Sequence, residues 1–299
     1  MISRRSMMLT PLALLATRLA AAADGKMVLA LHTNTSSAAG YRGALEGWAK
    51  AGIRNVEINA ALVDEFLKTD TLGAARRVLT DNALTPVSGA VGVPALLEPD
   101  DNHAAAIDLF KRRCEMFATL GLKKVYTTTT GMRRLTADDY GQVVDHMRDV
   151  GDAARQFNLM AMVEFVRTST YMSTLPTILK YTRQAAHPNL GPMFDCYHFW
   201  SGLNRLEDMD QIRSGEIQHV HFQDVPDMPR ELLDNTTRLI PGDGVSPLVT
   251  ILRTLADKGY AGPLSVELFL PRFRDGNPYE VALDIRRKAE AVMSRAGVL

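Results

Sequence analysis

KKVYTTTTGMRRLTADDYGQVVDHMRDVGDAARQFNLMAMVEFV, residues 123–166, holds the pattern on which the fold turns. Two short apolar runs, KKVYTTTT and LMAMVEFV, flank a stretch in which Val143, Met147, Val150 and Ala154 recur at spacings of three and four. That reads as strand, amphipathic helix, strand. The strands are apolar on both faces, as a parallel strand covered by helices must be.

Working outward, the same unit repeats along the chain. KMVLALHTN precedes YRGALEGWAKAGI, and NVEIN precedes a helical stretch ending in AARRVLTDNA. LTPVSGAVG precedes DNHAAAIDLFKRRCEMFATLG, LMAMVEFV leads to TLPTILKYTRQAA, and LGPMFDCYH to NRLEDMDQIRSG. IQHVHFQD with PLVTILRTLADKG, and PLSVELFLP with PYEVALDIRRKAEAVMSR, complete the series. Eight strand–helix pairs in one unbroken domain, residues 27–299, predict a (β/α)8 TIM barrel. A doubly wound open sheet is the competing α/β arrangement, but no Gly-rich phosphate turn follows the first strand.

The first 23 residues read differently. MISRRSMMLTPLALLATRLAAAA has Arg4 and Arg5 ahead of a short apolar core and alanines that suit signal cleavage. It is expected to be an export signal of the twin-arginine type, with an ordinary secretory signal as the alternative, and it places the mature chain in the periplasm or outside the cell. No other segment is apolar enough to anchor the protein in a membrane. Lys+Arg and Asp+Glu are 34 each, so the formal charge is zero and no field draws the protein to nucleic acid. The two cysteines, Cys114 and Cys196, fall on separate elements and are expected to be free thiols.

A barrel presents its chemistry at the C-terminal ends of its strands. There the sequence places Glu164 on strand five, Asp195 on strand six, His221 on strand seven and Glu267 on strand eight. Isolated charges in such apolar runs cost several kcal/mol each to desolvate. One divalent cation removes that cost, since all four groups bind it deprotonated. Three oxygen ligands and one nitrogen favour Mn²⁺, with Mg²⁺, Co²⁺ and Zn²⁺ as the other choices.

The order Glu164, Asp195-x-x-His198, His221-x-x-Asp224, PGDG (residues 241–244) and GYAGPLSVE (residues 259–267) resembles the xylose-isomerase-like TIM barrels. Within that group FDCYHFWSG, HFQD and SVELFLPRF are most similar to inosose (2-keto-myo-inositol) isomerases. The resemblance implies that Glu164, Asp195, His221 and Glu267 are metal ligands and that Glu164 and Glu267 also move the substrate proton. It further implies that His198 faces substrate and that Asp224 orients an imidazole or a substrate hydroxyl. By the same resemblance Glu57 and Arg230 contact substrate oxygens. His219 points inward below His221, as a core histidine or a second polar wall of the site. Endonuclease IV, in the same group, needs an Asp-x-His pair after His221; here Asp227 is followed by Met228 and Pro229, which argues against DNA repair.

The implied reaction is isomerisation or epimerisation of a small keto-sugar or keto-polyol through an enediolate. Two other functions remain open: a periplasmic lyase or dehydratase acting on 3-keto-glycosides through the same metal site, and an exported barrel that binds sugars without turning them over. Relatives often form dimers or tetramers, so a homo-oligomer is an implied possibility that the chain itself does not encode.

Overall fold

A computed structural model of the protein describes residues 26–100, 102–130 and 134–299; the expected export segment lies outside them. Eight strands form a closed parallel barrel in chain order: β1 Val28–His32, β2 Asn55–Asn59, β3 Thr85–Ala90, β4 Lys124–Thr128, β5 Met160–Glu164, β6 Leu190–Asp195, β7 Val220–His221 and β8 Pro263–Val266. β8 returns to β1 through pairs such as Ala30 with Ser265, so the sheet has no edge.

The period of two sorts the residues of every strand. Leu31, Val56, Ile58, Val125, Val163, Phe194, Val220 and Leu264 belong to the shell between sheet and helices. Ala90, Tyr126, Met162 and Met193 form a separate cluster, and their register partners carry the rest of the inner face.

The outer ring consists of α1 Gly40–Lys50, α2 Ala60–Leu67, α3 Leu72–Asp81, α4 His103–Thr119, α5 Asp139–Arg155, α6 Leu175–Ala185, α7 Cys196–Ser201, α8 Leu248–Asp257, α9 Pro271–Arg274 and α10 Pro278–Ala296. Helix α1 buries Tyr41, Ala44, Leu45 and Trp48, and α8 buries Leu248, Ile251, Leu252 and Leu255, each an i, i+3, i+4, i+7 stripe. Each large side chain so buried contributes roughly 1.5–3 kcal/mol. Gly47 lets α10 close on α1, since a Cβ there would lie 2.7 Å from Pro278 Cβ.

The details differ from the sequence expectation in three places. NRLEDMDQIRSG forms only the 3-10 turn Leu206–Gln211, because α7 begins directly after β6 and takes the helical role earlier. Only Val220 and His221 of IQHVHFQD lie in the ladder, although Gln218 and Phe222 still donate their N–H groups to Pro192 and Ser265. Beyond them the chain leaves the barrel and Asp224 pairs antiparallel with Leu239, which folds the long β7–α8 connection back over the mouth. Glu267 falls one residue past β8. Cys114 and Cys196 are buried free thiols. Among the described residues no helix is long and apolar enough to cross a membrane.

Candidate metal centre

Adjacent strands bring the four strand-end groups to one point. Asp195 is in register with His221, and His221 with Ser265, two residues before Glu267. His221 Nδ1 lies 2.8 Å from Glu164 Oε1, 3.4 Å from Asp195 Oδ2 and 3.6 Å from Glu267 Oε2. One ring nitrogen thus faces oxygens of three buried carboxylates from three parts of the ring.

Its orientation is set from below. Glu57 places Oε1 3.0 Å from His221 Nε2 and Oε2 2.7 Å from His219 Nε2, and all three side chains are completely buried. A carboxylate only accepts, so both imidazoles carry a proton on Nε2 and His221 turns Nδ1 toward the cluster. Burial opposes a charge on His221, but Glu57, Glu164 and Glu267 outweigh it and raise its pKa well above the usual value. Burial pushes the Glu164 carboxyl up to about 8 against the pull of His221. Burial acts the same way on Asp195, Glu267 and Glu57, yet neighbouring cations and imidazoles hold all three below the usual carboxylate range. These are His198 and Arg238 for Asp195, His32 and Arg238 for Glu267, and His221 and His219 for Glu57.

Arg238 enters from the β7–α8 connection. Its Nη1 donates to Glu267 Oε2 at 2.7 Å and to Asp195 Oδ2 at 3.3 Å, while Nη2 is 3.0 Å from His198 Nε2. The guanidinium sits between the rings of Tyr197 and Phe269, 5.1 and 5.0 Å from their centroids. No periodicity in the sequence marks a loop residue such as Arg238 that folds back into a barrel. His32 was equally silent, although it occupies the last inward position of β1. It lies 3.5 Å from Glu267 Oε1 and 3.2 Å from the Tyr126 hydroxyl. Asn34 next to it donates to Glu267 at 3.0 Å.

The other predicted residues divide. His198 joins Glu164 and Asp195 with ligand atoms within 4.8 Å of one another. Asp195 also caps α7, accepting from His198 N at 2.5 Å, so one carboxylate serves the helix and the cluster. Glu57 does not open toward a substrate, because both its oxygens are taken by His221 and His219. His219 is therefore part of the site's support; its Nδ1 has no partner. Arg230 is exposed and donates to Gly202 O, since the turn Arg230–Leu232 carries it over the end of α7 and away from the cluster. Asp224 is buried but orients neither an imidazole nor an open hydroxyl site: its oxygens accept from the N–H groups of Val225, Gly242, Gly244 and Ser246. His103 and His146 are half-buried on α4 and α5, and His187 is half-buried in the loop that follows α6.

Four buried carboxylates, Glu57, Glu164, Asp195 and Glu267, face one buried guanidinium, and the charge balance of the metal-free cluster rests on protons held by His221 and Glu164, which a divalent ion would displace. Hard oxygen donors with one imidazole, pre-oriented by a carboxylate, suit a divalent ion. Above the cluster a cavity of about 360 Å³ opens at the C-terminal mouth, walled by Asn34, Asn59, Tyr126, Thr128, Thr130 and Phe269.

Comparison with known proteins agrees with this architecture. Residues 19–289 match the family model described as xylose isomerase-like TIM barrel. Inosose isomerase of Halalkalibacterium halodurans is 24% identical over 233 residues, 77% of this chain and 83% of the relative. A 3-dehydroshikimate dehydratase of Pseudomonas putida is 26% identical over 180 residues, 60% of this chain but 28% of that longer protein. Among solved structures, the IolI protein with a bound zinc atom matches with a TM-score of 0.83 at 23% identity, covering 90% of this chain and 99% of that one.

Proposed function

This chain belongs to the xylose isomerase-like TIM-barrel family, and on that premise we propose that it is a divalent-metal-dependent isomerase or epimerase of a keto-polyol or keto-sugar of the inosose kind. The observation that carries the proposal is the convergence of Glu164, Asp195 and Glu267 on His221 Nδ1, within 3.6 Å, at the barrel mouth. These four residues would hold the ion, for which the donor set favours Mn²⁺. Such an ion supplies Lewis-acid polarisation of a substrate carbonyl. The protein's own residues do the rest. Glu164 and Glu267 reach the site from β5 and from the end of β8, on different parts of the ring, so one takes the α-proton and the other returns one. Asn34 and Arg238 fix the Glu267 carboxylate, and burial of the cluster excludes bulk water.

Return of the proton to the neighbouring carbon isomerises; return to the other face of the same carbon epimerises. Where the substrate has a β-leaving group, the same proton abstraction leads to elimination. Similarity to a dehydratase supports this second reading, which for an exported chain would be elimination from a 3-keto-glycoside. Exchange of the α-proton for deuterium, followed by mass spectrometry, tests the isomerase; release of an aglycone marks the lyase. Metal and sugar binding without any exchange marks a non-catalytic binding barrel. Glu164→Gln and Glu267→Gln are each expected to lower turnover about 10²–10⁴-fold, and a double variant with full activity refutes the mechanism. We also propose that residues 1–23 direct the chain out of the cytoplasm by the twin-arginine route. Replacing Arg4 and Arg5 by lysine should then retain it inside, and an unchanged distribution on fractionation would reject that route.

A further inference from the structure

Tyr126 enters the barrel from β4 and lines the cavity at the mouth, together with Asn34 and Glu267. Its ring stands edge-on to that of His221, 5.2 Å between centroids and at 88°. Its hydroxyl has one hydrogen-bond partner among the described residues, His32 Nε2 at 3.2 Å. Which of these two groups donates decides where the phenolic hydrogen goes.

The backbone after β1 settles the direction. His32 precedes the 3-10 turn Thr33–Ala39, and its Nδ1 accepts the N–H of Asn34 at 3.0 Å. A ring nitrogen that accepts carries no hydrogen, so the imidazole hydrogen is on Nε2. Nε2–H then donates to the Tyr126 oxygen, and the phenolic hydrogen cannot point back at His32. Among the described residues no carboxylate of the cluster accepts it. Glu57 is taken by His221 and His219, and Glu267 Oε1 by Asn34 Nδ2 at 3.0 Å. The hydrogen is left for the cavity that Tyr126 lines. Burial pushes the Tyr126 pKa well above that of a free phenol, so the hydrogen is present at neutral pH.

The next strand braces this arrangement. Asn59, at the end of β2, accepts from Ala61 N at 2.8 Å, which fixes its amide, and its Nδ2 donates to Asn34 Oδ1 at 3.1 Å. Asn34 therefore turns its amide N–H to Glu267 while its backbone N–H holds His32. One residue orients both the Glu267 carboxylate and, through His32, the phenol. A donor set in its direction before substrate arrives needs no reorganisation when charge develops on a substrate oxygen.

We infer that Tyr126 is a further catalytic residue, whose hydroxyl donates a hydrogen bond to the substrate oxygen that gains charge as a glutamate takes the α-proton, and that His32 is the positioning residue that aims it. The hydrogen stays on Tyr126 throughout. This deepens the proposed enediolate reaction and rests on it.

The test uses the full mature chain loaded with Mn²⁺ and 2-keto-myo-inositol in D₂O. Tyr126→Phe keeps the ring and removes only the hydroxyl. The kcat for deuterium incorporation should fall about 10²–10³-fold, with KM little changed and with metal affinity, from competition against a chelator, as in the native protein. A fall in kcat of less than about tenfold overturns the inference, and so does a fall that follows from lost metal binding. Two variants of His32 separate aiming from packing. His32→Gln places an amide donor where Nε2 stood and should keep most of the native kcat. His32→Asn reaches only as far as Nδ1 and should fall as far as Tyr126→Phe. Equal kcat in the two, both folded by circular dichroism, overturns the role of His32. Nitrogen NMR of isotope-labelled, Mg²⁺-loaded protein reads the tautomer without turnover. His32, assigned by its loss in His32→Gln, should show a bare Nδ1 and a protonated Nε2, and a hydrogen on Nδ1 overturns the inference. If the native protein exchanges no deuterium, the isomerase reading fails by itself, and calorimetry decides the inference. Tyr126→Phe must then bind 2-keto-myo-inositol at least about tenfold more weakly than the native protein, and a smaller difference overturns it.

Discussion

Glu57→Gln tests the support of the proposed metal centre. In the native site Glu57 accepts from Nε2 of both His221 and His219, at 3.0 and 2.7 Å. A glutamine keeps the volume but supplies one acceptor and one donor, so only one imidazole can retain its Nε2 proton. His219 is the one able to yield, because its Nδ1 has no partner and can take the displaced proton. His221 then keeps its orientation yet loses the negative charge behind it. Removing such a supporting carboxylate typically weakens metal binding 10–100-fold, about 1.4–2.8 kcal/mol. Competition against a chelator of known affinity measures the loss, with circular dichroism as the check on folding. His219→Gln, which leaves the Glu57–His221 contact in place, should cost much less. An affinity within twofold of the native protein in folded Glu57→Gln would refute the idea that Glu57 sets the basicity and direction of His221.

Other consequences of the structure are open to direct measurement. Because His221 is held protonated in the metal-free protein, its proton must leave when an ion binds, and it stays bound at every pH below its raised pKa. Metal affinity should therefore climb with pH, with up to two protons released per ion near neutral pH, one from His221 and one from Glu164, whose carboxyl is pushed up to about 8, measured by calorimetry in buffers of different ionisation enthalpy. Arg238→Gln leaves Asp195 and Glu267 buried without their cation, so the metal-free protein should lose about 3–5 kcal/mol in denaturant unfolding. A saturating divalent ion should restore much of that, and the variant should bind the ion more tightly than the native chain. Away from the site, Leu252→Ala removes a fully buried side chain of the α8 stripe, and a loss of about 2–5 kcal/mol is expected with activity per folded molecule unchanged.

The barrel was legible because its signal is local and repeated. Runs such as LMAMVEFV are apolar on both faces, and helices such as α8 carry a 3.6-residue stripe; neither pattern needs a distant partner to be read. The same period of two places Glu164, Asp195 and His221 on inward positions at strand ends, so the core of the site could be found by counting. Counting failed where a residue's role depends on what the rest of the chain brings to it. Glu57 and His219 meet across 162 positions, and only closure of the barrel turns an apparent substrate ligand into the support of His221. Arg238 lies on an irregular connection whose return over the mouth is set by the Asp224–Leu239 bridge, and no periodicity encodes such a path. The sequence by itself determined which groups line the lumen, since alternation along each strand is a property of the backbone. Which of those groups face one another, and which carboxylates are left for an ion or a substrate, was decided only by strand register and loop closure, because hydrogen bonds and charges act through distances that one dimension does not contain.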